Sequence, residues 1–283
     1  MQEKPGRGVN LCSGIALDGA MLSPDLNLDA AAAAAAETAT RLPPPPTGLR
    51  RPALFLDLDG VLAALEPTPD AVVPDTRRTT VLRAVAERFE GRVAIISGRT
   101  IAEIDRISDG ALTPASGVHG LERRDADGSM HRADAAPSVR QAVAAFEDFA
   151  RTRPGMIVED KAVSAGLHYR GAPTEAAAAE ALAGRLADET GLALQAGHLV
   201  VELKTPGTDK GTALKTFMLE PPFAGAVPVM LGDDLTDEHG FEAAAELGGF
   251  GVLVGSPRAT AARHGLADVE AVLAWLDDIR EIE

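Results

Sequence analysis

Short unbroken apolar runs punctuate the chain from residue 51 onward, and each is followed directly by Asp, Ser or Gly. The clearest lie at residues 53–56, 93–96, 227–231 and 250–254, and they are rich in Leu, Ile and Val. Runs this short, without polar alternation, suit strands of a parallel sheet buried on both faces. Longer amphipathic stretches at 76–89, 101–107 and 236–247 predict helices between them. The alternation predicts an α/β fold with a doubly wound, mostly parallel sheet. Ligands of such sheets bind beyond the carboxyl ends of the strands. The residues just after each apolar run are therefore the ones to read for chemistry.

The pattern changes between residues 122 and 200. Apolar segments at 156–159 and 164–169 flank a turn at 160–162, residues 173–190 form an Ala-rich helical stretch, and segments at 192–195 and 199–204 surround Gly197 as a hairpin would. An α+β pattern set inside an α/β one predicts a smaller inserted cap domain at 122–200, with the core made from 51–121 and 201–283. Residues 1–50 show neither pattern. They hold an alanine run at 30–36 and four consecutive prolines at 43–46. Proline enforces extended backbone and ends any helix before it. Residues 1–50 are therefore expected to be a disordered Ala/Pro-rich tail, dispensable for the core.

Composition narrows the partners. The net charge of −15 opposes binding to nucleic acid or an anionic membrane without a local basic patch, and none is visible. No segment reaches the roughly 20 apolar residues that cross a bilayer, and no basic segment followed by an apolar one opens the chain. Cys12 is the single cysteine, so no internal disulfide can form. A cytoplasmic monomer acting on a small molecule is expected. An acidic chain that binds a phosphate ester needs a metal and a few placed cations.

Candidates for both are present. The first run leads into Asp57-Leu58-Asp59-Gly60, where two carboxylates two residues apart can face one spot. A close like-charged pair is costly without a cation beside it, and all-oxygen ligation favours Mg²⁺. Taken alone, the pair is a weak signal and reads as a turn or helix cap after a strand. The run at 227–231 leads into Gly232-Asp233-Asp234-Leu235-Thr236-Asp237-Glu238, four carboxylates in six residues. Capping a helix needs one or two acids, so a metal site is the better reading. The run at 93–96 leads into Ser97-Gly98-Arg99, where a hydroxyl can bind a phosphate oxygen or serve as an ordinary N-cap. Lys210 lies in Gly207-Thr208-Asp209-Lys210-Gly211, before a helix, where an ammonium can neutralise a phosphoryl group.

Asp57-x-Asp59-Gly60, Ser97, Lys210 and Gly232-Asp233-Asp234-x-x-Asp237 resemble the four ordered motifs of the haloacid dehalogenase superfamily. With Gly117-Val118-His119-Gly120-Leu121-Glu122, Val158-Glu159-Asp160-Lys161 and His168-Tyr169-Arg170, the set is similar to that of the trehalose-6-phosphate phosphatases, from residue 51 to about 275. Val61 stands where many relatives carry threonine. The resemblance implies a Mg²⁺-dependent phosphatase that hydrolyses trehalose 6-phosphate to trehalose and phosphate. Asp57 would be the nucleophile and form an aspartyl-phosphate, Asp59 the general acid and base, and Ser97 and Lys210 the holders of the phosphoryl group. Mg²⁺ would be bound by Asp57, the carbonyl of Asp59 and Asp233, with Asp237 supporting directly or through water; whether Asp234 or Asp237 touches the metal stays open. Arg99 and the cap residues Glu122, Glu159, Lys161 and Glu202 would bind substrate. His168 reads better as a satisfied, partly buried histidine. The core motifs leave open a phosphatase for sucrose phosphate or mannosyl-phosphoglycerate. A non-catalytic sugar-phosphate-binding regulator fits less well, because all five acids from Asp57 to Asp237 are intact.

Overall fold

The computed structural model describes residues 41–283 apart from His198. Cys12 and the alanine run lie outside the described residues. Fourteen strands are described. They are β1 (Gly48–Leu49), β2 (Pro52–Leu56), β3 (Val93–Ile96), β4 (Ala115–Gly117), β5 (Glu122–Arg124), β6 (Met130–Arg132), β7 (Ile157–Asp160), β8 (Ser164–His168), β9 (Ala193–Gly197), β10 (Val200–Lys204), β11 (Val227–Gly232), β12 (Phe250–Val254), β13 (His264–Leu266) and β14 (Arg280–Glu281). The α-helices are α1 (Thr76–Arg88), α2 (Ile101–Ser108), α3 (Val139–Ala150), α4 (Ala176–Thr190), α5 (Lys210–Phe217), α6 (Glu238–Glu246) and α7 (Val269–Asp278).

The main sheet has eight strands in the order β13-β12-β11-β2-β3-β4-β5-β6. It is parallel from β13 to β4 and antiparallel at β5 and β6. Successive side chains on a strand point to opposite faces. Leu54 and Leu56 of β2 accordingly join the layer of α1, α2 and α7, while Ala53 and Phe55 join that of α5 and α6. The sheet is thus doubly wound. On the α5–α6 side, Phe55, Phe217 and Phe223 sit with ring centroids 5.3–6.0 Å apart.

The second sheet is antiparallel, in the order β7-β8-β10-β9. Period-two alternation decides its two faces. Ala165 and Leu167 of β8 and Val201 and Leu203 of β10 pack under α3 and α4. The alternate positions Gly166, His168, Val200 and Glu202 face the other way, and the cross-strand register puts Glu159 and Glu202 on either side of Gly166.

Two boundaries differ from the sequence expectation. The cap was expected to begin at residue 122, but β5 and β6 extend the main sheet. Their sequences, Glu-Arg-Arg and Met-His-Arg, lack an apolar face because they form the sheet edge. The tail was expected to run through residue 50, but residues 42–49 lie against the core. Gly265 N donates to the Pro43 carbonyl at 3.0 Å, Trp275 Nε1 donates to the Pro46 carbonyl at 3.1 Å, and β1 pairs in parallel with β14. Proline offers no N–H but an ordinary carbonyl, so a proline run can accept from a neighbouring element while remaining irregular. A chain starting at Arg50 would lose these bonds and the buried Leu49 side chain. At ~2 kcal/mol for Leu49 and about 1 kcal/mol for each net hydrogen bond, it should melt roughly 10–20 °C lower. Thermal melts of that chain against one starting at Arg41 check this; equal midpoints would show that the segment contributes nothing.

Candidate active site

The carboxyl ends of β2, β3 and β11 meet at one point, because the three strands are neighbours in register. Asp57 and Asp59 follow β2, Ser97 follows β3, and Asp233 follows β11. The chain turns sharply after Asp57. Leu62 and Ala63 N–H groups both return to the Leu58 carbonyl, and Gly60 N donates to Ala63 O at 2.8 Å. Gly60 has φ +74°, and a Cβ there would lie 2.0 Å from Asp233 Oδ2. A side chain would therefore be strained and would collide with the second acidic loop. Gly232 is equally constrained, since its Cβ would lie 2.1 Å from Asp237 Cγ.

Lys210 opens α5 and is almost wholly buried. Its ammonium lies 2.9 Å from Asp57 Oδ2 and 2.7 Å from Asp237 Oδ1. Although burial pulls its pKa down, Asp237 and Asp57 hold it well above the ordinary lysine value. At Asp57 burial wins instead. Burial pushes its carboxyl up to about 7 against the pull of Lys210, with Asp233 and Asp234 adding to the rise. Asp233 is likewise pushed up to about 7, by burial and then by Asp234 and Asp237. Anions crowded in this way call for a further cation. Asp57, Asp233 and Asp237 each present one carboxylate oxygen, all within 4.8 Å of one another. Hard anionic donors in a cradle kept narrow by two glycines fit Mg²⁺.

The four acids after β11 divide their work. Asp233 and Asp237 belong to that trio. Asp237 also accepts from the N–H groups of Asp233 at 3.0 Å and Asp234 at 3.2 Å, which fixes the loop. Asp234 caps the following turn by accepting from Thr236 N at 2.8 Å and Thr236 Oγ1 at 2.6 Å. Glu238 faces away from the site. It pairs with Arg258 and accepts from Ala261 N, while Arg258 also donates to the Asp234 carbonyl at 2.6 Å. Arg258 carried no sequence signal, because a single arginine in a loop reads as surface.

A cleft of about 450 Å³ lies between this strand-end cluster and the polar face of the cap sheet. Its core wall includes Asp57, Asp59, Ser97, Arg99 and Lys210, and its cap wall includes Glu159, Lys161, His168 and Glu202. Lys161 Nζ donates to Glu202 Oε2 at 3.0 Å and lies 3.5 Å from Glu159 Oε2. It also crosses to the core, donating to the Gly98 carbonyl at 3.0 Å, next to Ser97. Against the upward push of burial, Lys161 and His119 hold Glu202 well below the usual carboxylate range. His168 Nε2 meets Glu159 Oε2 at 2.8 Å, so it is satisfied as expected and yet lines the cleft. His119, with φ +53°, is buried against Gly98 with Nε2 3.8 Å from Glu202 Oε2. The loop bearing Leu65 and Pro67 closes one side of the cleft and had no periodicity by which to be found.

Two expected substrate contacts are committed to other partners. Glu122 does not line the cleft. It is buried at the start of α2, where Oε2 accepts from Ile101 N at 3.0 Å and Oε1 pairs with Arg132 at 2.7 Å. The sequence reading placed it on the cap because the cap boundary was set too early. Arg99 does line the cleft, but its guanidinium is engaged with Asp59 at 2.8 Å twice over.

Comparison with known proteins identifies the family. The trehalose-phosphatase family model matches residues 55–270. A trehalose-6-phosphate phosphatase of Escherichia coli (strain K12) is 41% identical over 229 residues, spanning 80% of this chain and 86% of the relative. A trehalose-phosphate phosphatase of Mycobacterium avium (strain 104) is 37% identical over 206 residues, spanning 69% of this chain and 51% of that relative. Among solved structures, the C-terminal domain of the C. albicans trehalose-6-phosphate phosphatase superposes with a TM-score of 0.73 at 24% identity, covering 81% of this chain and 92% of that one. A phosphatase of the haloalkanoate (HAD) enzyme superfamily from Bacteroides thetaiotaomicron gives 0.54 at 17% identity, covering 82% and 96%. At these identities the structural likenesses speak for the fold. No helix among the described residues is long and apolar enough to cross a membrane.

Proposed function

The chain belongs to the trehalose-phosphatase family, and from that premise we propose that it hydrolyses trehalose 6-phosphate to trehalose and phosphate through an aspartyl-phosphate on Asp57. The observation that carries this reading is the meeting of Asp57, Asp59, Ser97 and Lys210 on one wall of a cleft whose other wall is polar cap. An Asp57 carboxylate oxygen attacks phosphorus. As the bond to the sugar oxygen breaks, Asp59 gives that oxygen its proton. Water then attacks the same phosphorus, passes a proton to Asp59, and the bond to Asp57 breaks to release phosphate. Ser97 and Lys210 hold the phosphoryl oxygens, and Lys210 keeps the Asp57 oxygen aimed. Asp57, the carbonyl of Asp59, Asp233 and Asp237 would hold Mg²⁺. When bound, that ion neutralises the gathered carboxylates and stabilises charge on the transferring phosphoryl group.

The cap supplies the choice of ester. Lys161, Glu159 and Glu202 present a cation between two carboxylates on the cap wall of the cleft, suited to the hydroxyls of the sugar ring that does not bear the phosphate. Phosphate release with Mg²⁺ from trehalose 6-phosphate, sucrose phosphate and glucose 6-phosphate tests the assignment. Trehalose 6-phosphate should be cleaved fastest, and preference for glucose 6-phosphate would overturn it. Glu159→Ala should lower kcat/KM for trehalose 6-phosphate by roughly 10–100-fold and leave p-nitrophenyl phosphate within ~2-fold, since its polar partners lie on the cap. Lys161→Ala should affect both substrates, because it also breaks the bond to the Gly98 carbonyl beside Ser97.

A further inference from the structure

Arg99 follows Ser97 and precedes α2, a place where an arginine reads as a ligand for the substrate phosphate. Its surroundings differ from that expectation. Nε donates to Asp59 Oδ2 and Nη2 to Asp59 Oδ1, each at 2.8 Å, a side-on two-point pairing. Nη1 donates to the Pro69 carbonyl at 2.7 Å and to Glu103 Oε1 at 3.2 Å. A guanidinium has five N–H groups, and four are engaged by these partners. Both side chains line the cleft, but Arg99 is 10% exposed against 29% for Asp59, so the carboxylate is the more open of the pair.

The support behind Arg99 is itself fixed. Glu103 Oε2 accepts from Thr100 N at 3.0 Å and Thr100 Oγ1 at 2.8 Å, closing the capping box that starts α2. The Arg99 main chain is held as well, with Val118 N donating to its carbonyl at 2.9 Å. A line of contacts therefore runs from the first turn of α2 through Glu103 and Arg99 to Asp59. The Pro69 carbonyl ties in the loop that leaves the Asp59 turn.

We infer that Arg99 is a positioning residue that holds the Asp59 carboxylate at the cleft wall, and that it is not a ligand of phosphate or sugar. The inference rests on the proposed acid–base role of Asp59. A carboxylate that must first give and then take a proton has to point the same way in both steps. A planar fork bonded to both oxygens fixes the plane of the carboxylate, which an ammonium cannot do.

The test is a double-mutant cycle. Arg99→Gln, Asp59→Asn and the double variant are assayed with Mg²⁺ on trehalose 6-phosphate and on p-nitrophenyl phosphate. Arg99→Gln should lower kcat for the sugar ester by ~10²-fold, as a misplaced catalytic group does, with KM within about 3-fold. On p-nitrophenyl phosphate, whose leaving group needs little protonation, the loss should be under ~10-fold. In the Asp59→Asn background the same substitution should change kcat by less than ~2-fold, because a residue acting through another has nothing left to position. Arg99→Lys should fall between wild type and Arg99→Gln, and it takes the place of Arg99→Gln in the cycle if that variant does not fold. An additive cycle overturns the inference, and so does a KM raised on both esters with kcat kept. Full activity in Asp59→Asn would overturn the acid–base reading and the inference together. If trehalose 6-phosphate is refused and another sugar phosphate is cleaved, the same cycle on that ester still decides the role of Arg99.

Discussion

Asp57→Asn should lose at least ~10³-fold in turnover while melting no lower than the wild type in the absence of metal. The loss follows from chemistry, since an amide oxygen is a poor nucleophile toward phosphorus and a poor metal ligand. The retained stability follows from the site. Burial, together with Asp233 and Asp234, pushes the Asp57 carboxyl up to about 7, so its charged form is disfavoured in the folded protein. A group whose folded pKa is raised costs stability as pH rises through that value. A neutral isostere removes the cost, and its carbonyl oxygen can still accept from Lys210. Phosphate release and thermal melts at about pH 8, with chelator, check both halves. More than a tenth of wild-type activity would sink the covalent mechanism, and a clear fall in Tm would show that the Asp57 charge stabilises the metal-free fold.

Lys210→Met should lose stability as well as activity. The ammonium is buried between Asp57 at 2.9 Å and Asp237 at 2.7 Å. Removing one partner of a buried ion pair leaves uncompensated charge, at a cost of roughly 3–5 kcal/mol. Removing a preorganised donor to the transferring phosphoryl group costs ~10²–10³ in rate. The destabilisation should shrink as pH falls, because the orphaned carboxylates then protonate. Lys215 is the natural control. It pairs with Glu246 at 2.6 Å on the half-exposed surface of the same helix, and Lys215→Met should stay within about 0.5 kcal/mol of wild type. Urea titrations of both variants at two pH values check this. A Lys210→Met chain as stable as Lys215→Met at about pH 8 would mean that the acids are neutral without it.

The sequence by itself determined the doubly wound sheet and the place of its chemistry. Buried parallel strands need apolar side chains on both faces, so β2, β3, β11 and β12 stand out as short unbroken runs. The polar residues after those runs then have to share one edge of the sheet, which is why Asp57, Ser97 and Asp233 could be expected together. The cap sheet was legible from its turns, since short apolar segments on either side of 160–162 and of Gly197 can only fold back on each other as hairpins. Other features were invisible to local patterning. β5 and β6 carry too little apolar surface to read as strands, and with them the cap boundary and Glu122 were misplaced. The prolines at 43–46 read as tail because accepting hydrogen bonds through carbonyls leaves no mark in side-chain periodicity. The division of labour among Asp233, Asp234, Asp237 and Glu238, and the pairing of Arg99 with Asp59 across 40 residues of chain, were decided only by the tertiary structure. Four acids in one loop are chemically alike until folding buries some beside Lys210 and leaves others to cap a turn or brace a neighbouring loop. Burial and distance, not residue type, set which charges can pair.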